Sequence, residues 1–288
     1  MEICKNTDLI PKETSLILGF FDGIHLGHRK VIDSGTSEIK TLVTFSNSPA
    51  EYFNQEFSYI YPRKYNYEIL EALGINYVYE LDFSEFVNIK AEDYLKGLID
   101  SFSPKSISTG FNHTFGNGRS GSPTLLESKQ YEYNYSYFCI PPYKIDGNIV
   151  SSSLIKKYLS SGDIETANKM LGSPFVIEST VIKGQQIGRK IGFPTANMKY
   201  PKKNIKLPYG VYAVNVLNKR AILNWGTKPT LNGNEELLEV HIPDFKGDLY
   251  NKNLKIEFVK KIREEKQFGN LELLQEQIKK DVEICLKL

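Results

Sequence analysis

The hydrophobic pattern of this chain changes its period once, near Gly172. Before Gly172, short continuous apolar runs alternate with helical patterns, which is typical of a doubly wound parallel sheet. After it, apolar residues alternate with period two in closely spaced segments, which predicts a small antiparallel β-barrel with a final helix. Since 288 residues allow each half to bury its own core, we predict two domains, residues 1–172 and 173–288. The predicted fold class is therefore α/β followed by all-β.

The same hydrophobic pattern predicts where the individual strands and helices lie. In the first half it predicts strands at residues 15–21, 40–46, 77–82, 105–110 and 137–141, and helices at 64–73 and 91–102. In the second half it predicts strands at residues 175–182, 210–217, 220–225, 237–242 and 254–262. The final helix is expected to begin after the N-cap Asn270 and to bury one stripe of side chains: Leu271, Leu274, Ile278, Val282 and Cys285.

Composition narrows the classes of function. A net charge of +2 without a basic run gives no reason to expect nucleic-acid binding. No segment resembles a transmembrane span, and the first twenty residues lack the order of a signal peptide. Cys4, Cys139 and Cys285 are scattered, which favours a reducing cytoplasm over a disulfide framework or a zinc site. We therefore expect a cytoplasmic protein without membrane partners, and the sequence leaves its oligomeric state open.

Residues 188–197 combine the features of a phosphate site. Gly188 and Gly192 allow the backbone to approach a bulky anion, because neither carries a Cβ atom. Lys190 adds positive charge for phosphate oxygens. The alternative is a surface loop that makes a tight turn.

The end of this stretch favours the phosphate site. After Pro194, the hydroxyl of Thr195 and the carboxamide of Asn197 lie two positions apart, so an extended backbone presents both on one side. Hard oxygen donors beside a phosphate are the ligands that Mg²⁺ prefers. A simple turn has no need of this pair.

Two histidines follow the first apolar run. His25 and His28 flank Gly27, at the point where the predicted strand gives way to a helix. Both imidazoles can face a phosphate there, beside the exposed N–H groups of the helix N-terminus. Donors at this position would stabilise the charge that accumulates during adenylyl transfer. The alternative is a helix cap or a polar filling.

Glu239 is a candidate general base. In the alternating segment around it, Leu238 and Val240 face one way while Glu239 and His241 face the other. On the cavity side of a barrel strand a carboxylate is expensive to bury unless it is paired or functional. The residues alone favour the alternative, the ordinary glutamate that points to solvent, and only the family resemblance given below favours the cavity side.

These motifs together resemble the bacterial family of bifunctional riboflavin kinases and FAD synthetases, over nearly the whole chain. Residues 20–28 resemble its nucleotide-binding signature, and residues 194–197 its Pro-Thr-Ala-Asn signature. Further similar segments are the glycine-flanked loop 110–116, the second phosphate signature 150–156, the turn 224–230, the glutamate block 238–241 and the flavin-side segment 263–268.

The resemblance implies a role for each matching residue. Nucleotide contacts are implied for Phe20, Asp22, Gly23, Gly27, Asn112, Ser151, Ser152, Lys156, Gly184, Gly188, Lys190, Gly192, Pro194 and Asn224. Catalytic roles are implied for His25, His28 and Glu239, flavin contacts for Arg263 and Phe268, and metal binding for Thr195 and Asn197. For Asn112 the alternative is a glycine-rich connection, for Ser151 or Ser152 a helix N-cap, and for Arg263 and Phe268 a surface salt bridge and a helix staple.

Five positions depart from the family pattern. Phe20 stands where an Asn is usual, Asn47 and Ser48 replace a Pro-His pair, Ala50 replaces an Arg, and Lys156 replaces an Arg. Lysine keeps the charge but loses the planar fork that grips phosphate through two parallel hydrogen bonds. These departures all fall in the first half, so they bear on adenylyl transfer alone.

The implied activity is flavin cofactor synthesis with ATP and Mg²⁺. The C-terminal barrel would phosphorylate riboflavin to FMN, and the N-terminal domain would adenylylate FMN to FAD. One alternative is a riboflavin kinase whose N-terminal domain has lost or weakened its adenylyltransferase activity. Another is a flavin-sensing protein without turnover, which would not need Glu239.

Overall fold

A computed structural model describes residues 1–5, 10, 12–184, 188, 191–230 and 233–288, with the backbone alone for residues 228–230 and 233–235. These residues form two compact units. The first comprises Met1–Phe57 and Arg63–Ser152, and the second comprises Ser58–Pro62 and Ser153–Leu288. No helix within the described ranges has the length and apolar character needed to cross a membrane.

The first unit is built on a six-stranded parallel sheet, which confirms the predicted class. Its strands are β1 (Glu2–Cys4), β2 (Ser15–Leu18), β3 (Lys40–Phe45), β4 (Tyr77–Leu81), β5 (Ser106–Gly110) and β6 (Ser136–Ile140). Their spatial order is β1-β4-β3-β2-β5-β6, and every neighbouring pair is parallel. A short hairpin, β7 (Lys144–Ile145) and β8 (Asn148–Ile149), lies outside this sheet.

Helices cover both faces of the sheet. They are α1 (Leu26–Asp33), α2 (Pro49–Tyr52), α3 (Arg63–Ala72), α4 (Phe83–Phe86), α5 (Ala91–Phe102) and α6 (Pro123–Lys129), with a 3₁₀ turn at Asn117–Arg119. Alternate residues of β2 enter opposite cores: Leu16 packs with residues of α5 and α6, and Ile17 with residues of α1 and α3. A strand buried on both faces explains the continuous apolar run in the sequence.

The strand order makes the end of β2 the natural ligand site. The chain runs from β2 to β3 on one side and later returns to β5 on the other. Ligands of doubly wound sheets bind beyond the carboxyl ends of the strands at such a switch point. The histidine motif follows β2 directly.

The second unit contains a closed antiparallel barrel, as predicted. Its strands are β9 (Phe175–Ile182), β10 (Ala196–Met198), β11 (Gly210–Val216), β12 (Lys219–Thr230), β13 (Gly233–His241) and β14 (Asn253–Arg263), in the order β10-β13-β12-β11-β14-β9. Fully buried large side chains such as Tyr212, Trp225 and Phe258 fill the interior. The predicted turn at residues 224–230 is wrong, because β12 continues to Thr230 in an unbroken ladder with β13.

Helices whose bounds lie within the described residues accompany the barrel: α7 (Ser152–Ser161), α8 (Ile164–Leu171) and α9 (Leu271–Leu286). The Asn270 side chain caps α9 by accepting the Leu273 N–H at 2.9 Å, as predicted. Val282 and Cys285 pack against the outer face of β11 and β12. Leu271 departs from the predicted stripe: it is 54% exposed, in the first turn of the helix.

The compact units divide at a different place from the predicted boundary. Helix α8 belongs with the barrel, because Asn168 donates to the Phe258 carbonyl at 2.8 Å and accepts the Phe175 N–H at 2.7 Å. Tyr61, from the Ser58–Pro62 segment, donates to the Pro174 carbonyl at 2.8 Å. Where the two functional domains divide remains a prediction.

Candidate active sites

The histidine pair lies at the switch point of the first unit. His25 is the N-cap of α1, and its Nδ1 accepts the N–H of His28 at 3.2 Å. The two rings are stacked, with centroids 3.6 Å apart and an angle of 15°. Because Nδ1 of His25 accepts, the proton of the neutral ring is on Nε2, which can donate to a ligand. His25 can therefore cap α1 through Nδ1 and donate to a phosphate through Nε2 at the same time.

Burial keeps both imidazoles neutral. Desolvation lowers the pKa of His25 to about 4, and it holds the pKa of His28 well below the usual range. A charge on one ring would further disfavour a charge on the other at this separation. At neutral pH the pair thus offers N–H donors rather than positive charge.

Close packing explains the glycine between the histidines. A Cβ atom on Gly27 would lie 3.2 Å from the His25 ring and 3.6 Å from the Val150 carbonyl. Ser152, from the second phosphate signature, donates to the carbonyl of Asp22 at 2.8 Å. The two predicted signatures of the first unit therefore meet at this turn.

The other predicted nucleotide-binding residues of the first half lie in loops and at the start of α7. Phe20 and Gly23 lie in the loop between β2 and α1, and Gly23 has the positive φ of 84° that glycine favours. Asn112 is exposed just beyond the carboxyl end of β5. Ser151 directly precedes α7, while Lys156 lies within α7 in the part assigned to the second unit. Their nucleotide contacts stay predictions.

Two departures from the family pattern have local structural roles. Ser48 caps α2 in a capping box: its Oγ accepts the Ala50 N–H at 3.2 Å, while the Glu51 carboxylate accepts the Ser48 N–H at 3.1 Å. Asn47 Oδ1 accepts the N–H of Phe83 at 3.3 Å, at the start of α4. These residues therefore shape the loops that follow β3 and β4.

On the barrel, three predicted residues form one row. Asn197 of β10 pairs with Glu239 of β13, and Glu239 pairs with Asn224 of β12. Directly opposite residues of antiparallel strands share a face, with Cβ atoms about 4.5–5.5 Å apart. Thr195 lies two residues before Asn197, just outside β10, and the alternation of an extended backbone predicts that it points to the same side. The structure thus brings the predicted metal ligands next to the predicted base.

This row faces outward, which corrects the expectation for Glu239. Leu238, Val240 and Trp225 occupy the barrel interior, whereas Glu239 shares its face with Ile222, which packs beneath α9. The period of two separates the faces of a strand but does not say which face is inside. Glu239 is half-buried on this outer face.

The glycine-rich loop packs closely on the predicted metal ligands, Thr195 and Asn197. A Cβ atom on Gly184 would overlap the Asn197 carboxamide, and one on Gly188 would overlap the Phe193 carbonyl and lie 3.3 Å from Thr195 Oγ1. Gly192 has a φ of 83°, which few other residues tolerate. Lys190 lies outside the described residues.

Gly184→Ala is expected to lower the rate of FMN formation by about 10- to 100-fold, because displacement of a metal ligand by a fraction of an ångström disturbs the reacting geometry. Steady-state kinetics with riboflavin and ATP measure this effect. Gly97→Ala is the matched control, since a Cβ atom there meets nothing within 4 Å. Equal rates for the two variants would contradict the close contact.

Arg263 and Phe268 contact other protein groups, which was the alternative to their predicted contacts with flavin. The Arg263 guanidinium makes a bidentate ion pair with the buried Asp281 of α9, with its closest N–O distance 2.7 Å, and donates to the Glu264 carbonyl. Phe268 packs against this guanidinium at 5.8 Å. The pair therefore fastens α9 to the barrel, and its contact with flavin stays a prediction.

The donor set of the barrel fits a hard divalent cation held together with ATP. In phosphoryl-transfer enzymes such a metal would neutralise charge on the phosphates. Thr195 and Asn197 would supply a hydroxyl and a carboxamide oxygen, while phosphates and water complete the shell. Over the described part of the chain, no three His, Cys, Asp or Glu side chains gather as a metal site. A site with few protein ligands is consistent with that finding.

Comparisons with known proteins identify the class of the chain. Residues 8–154 match the family model of FAD synthetase, and residues 171–288 match that of riboflavin kinase. These two matches define a two-domain transferase of phosphorus-containing groups. The fold is similar to that of a macrolide-efflux protein from Streptococcus pneumoniae, with a TM-score of 0.90, 28% identity and coverage of 99% of this chain and 98% of that chain.

Curated relatives extend over both domains. A bifunctional riboflavin kinase/FMN adenylyltransferase from Buchnera aphidicola subsp. Schizaphis graminum is 35% identical, covering 98% of this chain and 96% of the relative. Proteins of the same name from Bacillus subtilis and Escherichia coli K12 are 32% and 30% identical, over 94% and 96% of this chain and 91% and 93% of the relatives. The chain belongs to the bifunctional riboflavin kinase/FMN adenylyltransferase family. The resemblance seen in the sequence is thereby confirmed.

Proposed function

We propose that the outer face of the barrel carries the riboflavin kinase reaction. The observation that supports this most directly is the cross-strand pairing of Asn197 with Glu239. It puts a potential base within a side chain's length of a potential metal ligand. The γ-phosphoryl group of ATP would pass to the terminal ribityl hydroxyl of riboflavin, giving FMN and ADP.

Each residue has a distinct task in this proposal. Glu239 accepts the proton of the ribityl hydroxyl as that oxygen bonds to phosphorus. Thr195 and Asn197 hold the divalent ion, which we take to be Mg²⁺ and which neutralises charge on the transferring phosphate when bound. Gly184 and Gly188 let the backbone pack closely against Asn197 and the turn before Thr195, because a Cβ atom on either would overlap those groups.

We propose that the first unit then joins FMN to the AMP part of ATP. The FMN phosphate attacks the α-phosphorus, the bond to the β-phosphate breaks, and pyrophosphate leaves with FAD as the product. His25 donates from Nε2 to the α-phosphate oxygens, and His28 supports it through the stacked ring. Prepositioned neutral donors of this kind stabilise charge that develops in the transition state.

The test is product formation by the whole protein. Incubation with riboflavin, ATP and Mg²⁺ is expected to give FMN first and FAD later, resolved by chromatography. A second incubation with FMN in place of riboflavin isolates adenylyl transfer. FAD formation no faster than that of His28→Ala would favour a kinase that has lost its second activity. Absence of FMN would refute the kinase assignment.

A further inference from the structure

Two side chains from different elements hold one short loop of the barrel unit. The loop comprises residues 191–195 and leads directly into β10. His241 Nδ1 lies 2.9 Å from the Pro194 carbonyl, and Gln275 Nε2 donates to the Ile191 carbonyl at 3.1 Å. Both contacts are made to backbone carbonyls, one near each end of the loop.

The hydrogen bond to Pro194 determines which ring nitrogen of His241 carries the proton. A carbonyl only accepts, so Nδ1 of His241 carries the proton. The imidazole is 8% exposed and meets the Phe193 ring edge-on, with centroids 5.3 Å apart. Extending the β10–β13 register by one pair beyond Ala196 places Thr195 opposite His241. His241 therefore supports the loop beside the proposed metal ligand.

Gln275 reaches the same loop from α9. The helix is fixed to the barrel further along by Asp281, which pairs with Arg263, and by Cys285, whose thiol donates to the Ala221 carbonyl at 3.2 Å. Its first turns extend beyond this anchor, and Gln275 is half-buried there. The side chain thus connects a fixed helix to the far end of the loop.

The loop begins with a tight turn. Ile191 and Phe193 donate to the Gly188 carbonyl at 3.2 and 2.8 Å, which closes a tight turn. That turn does not define where Pro194 and Thr195 lie relative to Glu239. The two side-chain donors supply this restraint.

We propose that His241 and Gln275 are positioning residues of the kinase site. They clamp the 191–195 loop so that Thr195 is in place beside Asn197, which β10 already holds, before the metal and ATP arrive. This inference rests on the proposed kinase function of the barrel. Neither residue touches the reacting atoms. Loss of either donor should weaken binding of metal and ATP more than it slows the chemical step.

The test uses variants that keep shape but remove the donor. His241→Phe retains the ring against Phe193, and Gln275→Met retains the length of the side chain. Each is expected to raise the KM for Mg·ATP in FMN formation about tenfold, the worth of one hydrogen bond, with kcat changed less than threefold. His241→Asn, which can place an amide N–H near the former Nδ1, should recover most of the loss. Glu276→Met, at an exposed neighbouring position, is the matched control.

Hydrogen exchange in the ligand-free protein tests the same proposal without measuring catalysis. In the ligand-free protein, hydrogen exchange in a peptide covering residues 191–198 should accelerate in His241→Phe and Gln275→Met but not in Glu276→Met. Because both donors restrain one loop, the double variant should raise KM by less than the product of the single effects. Unchanged KM and exchange in the single variants, while the parent protein makes FMN, would overturn the clamp. A parent protein that makes no FMN would instead overturn the kinase assignment.

Discussion

Glu239→Gln is expected to lower kcat for FMN formation by about 10²- to 10⁴-fold, the usual contribution of a general base. Glutamine keeps the size of the side chain and can still donate or accept a hydrogen bond, but it cannot take the proton of the ribityl hydroxyl. Flavin and ATP binding should change little, so the loss falls on kcat rather than on KM. Stopped assays with riboflavin and ATP measure it.

The same protein contains an internal control for this prediction. FAD formation from supplied FMN should keep its parental rate in Glu239→Gln, because His25 and His28 belong to the other unit. Glu257→Gln, an outward-facing glutamate on β14 that pairs with Lys255 at 3.4 Å, should leave both activities intact. A kcat for Glu239→Gln within a few-fold of the parent value would remove Glu239 as the base.

The sequence was most informative where periodicity and local chemistry agreed. A strand buried on both faces at Leu16 and Ile17 predicts a doubly wound sheet, and its position in the order places His25 at the switch point. The Thr195-x-Asn197 spacing placed Asn197 on a strand beside Glu239, whereas the shared face of the two side chains stays a prediction. These features depend on a few neighbouring residues, so a single sequence contains them.

Features set by long-range packing were not predictable. Nothing near Glu239 says that α9 will pack on the outer face of the neighbouring strands β11 and β12, so the sequence alone placed Glu239 on the wrong side of the barrel wall. Arg263 lies 18 positions from Asp281, and only the folded helix shows that its guanidinium is already paired. The roles of His241 and Gln275 likewise depend on contacts 47 and 84 residues apart.

The replacements at Asn47 and Ser48 show why departures from a family pattern are ambiguous in sequence. Both side chains bind backbone N–H groups in the loops beyond β3 and β4, at the edge of the sheet where ligands of this fold bind. They bond to these loops without the imidazole that the family pattern has there. In the proposed mechanism, phosphate recognition then rests on His25 and His28.

His28→Ala is accordingly expected to lower the rate of FAD formation from FMN by about 10²- to 10³-fold, as loss of a prepositioned donor does elsewhere. The variant removes the ring that stacks on His25 at 3.6 Å, and the His25 ring is then oriented only by the backbone N–H of residue 28 that Nδ1 accepts. FMN formation from riboflavin should be unaffected. Equal rates of FAD formation in variant and parent would show that the pair does not serve the α-phosphate.

The mechanism also requires that both rings be neutral before ATP binds, and this can be measured on the free enzyme. Burial lowers the pKa of His25 to about 4 from an ordinary value of 6.5. The unfolded chain therefore takes up this proton first as the pH falls. The stability contributed by the neutral ring is complete above about pH 6.5 and is lost on the way to pH 4, by about 3 kcal/mol at 1.36 kcal/mol per pKa unit. NMR titration of the ring carbons should show no His25 inflection between pH 6 and 8. An inflection near 6.5 would mean that the ring is solvated, and the site would then bind phosphate through charge.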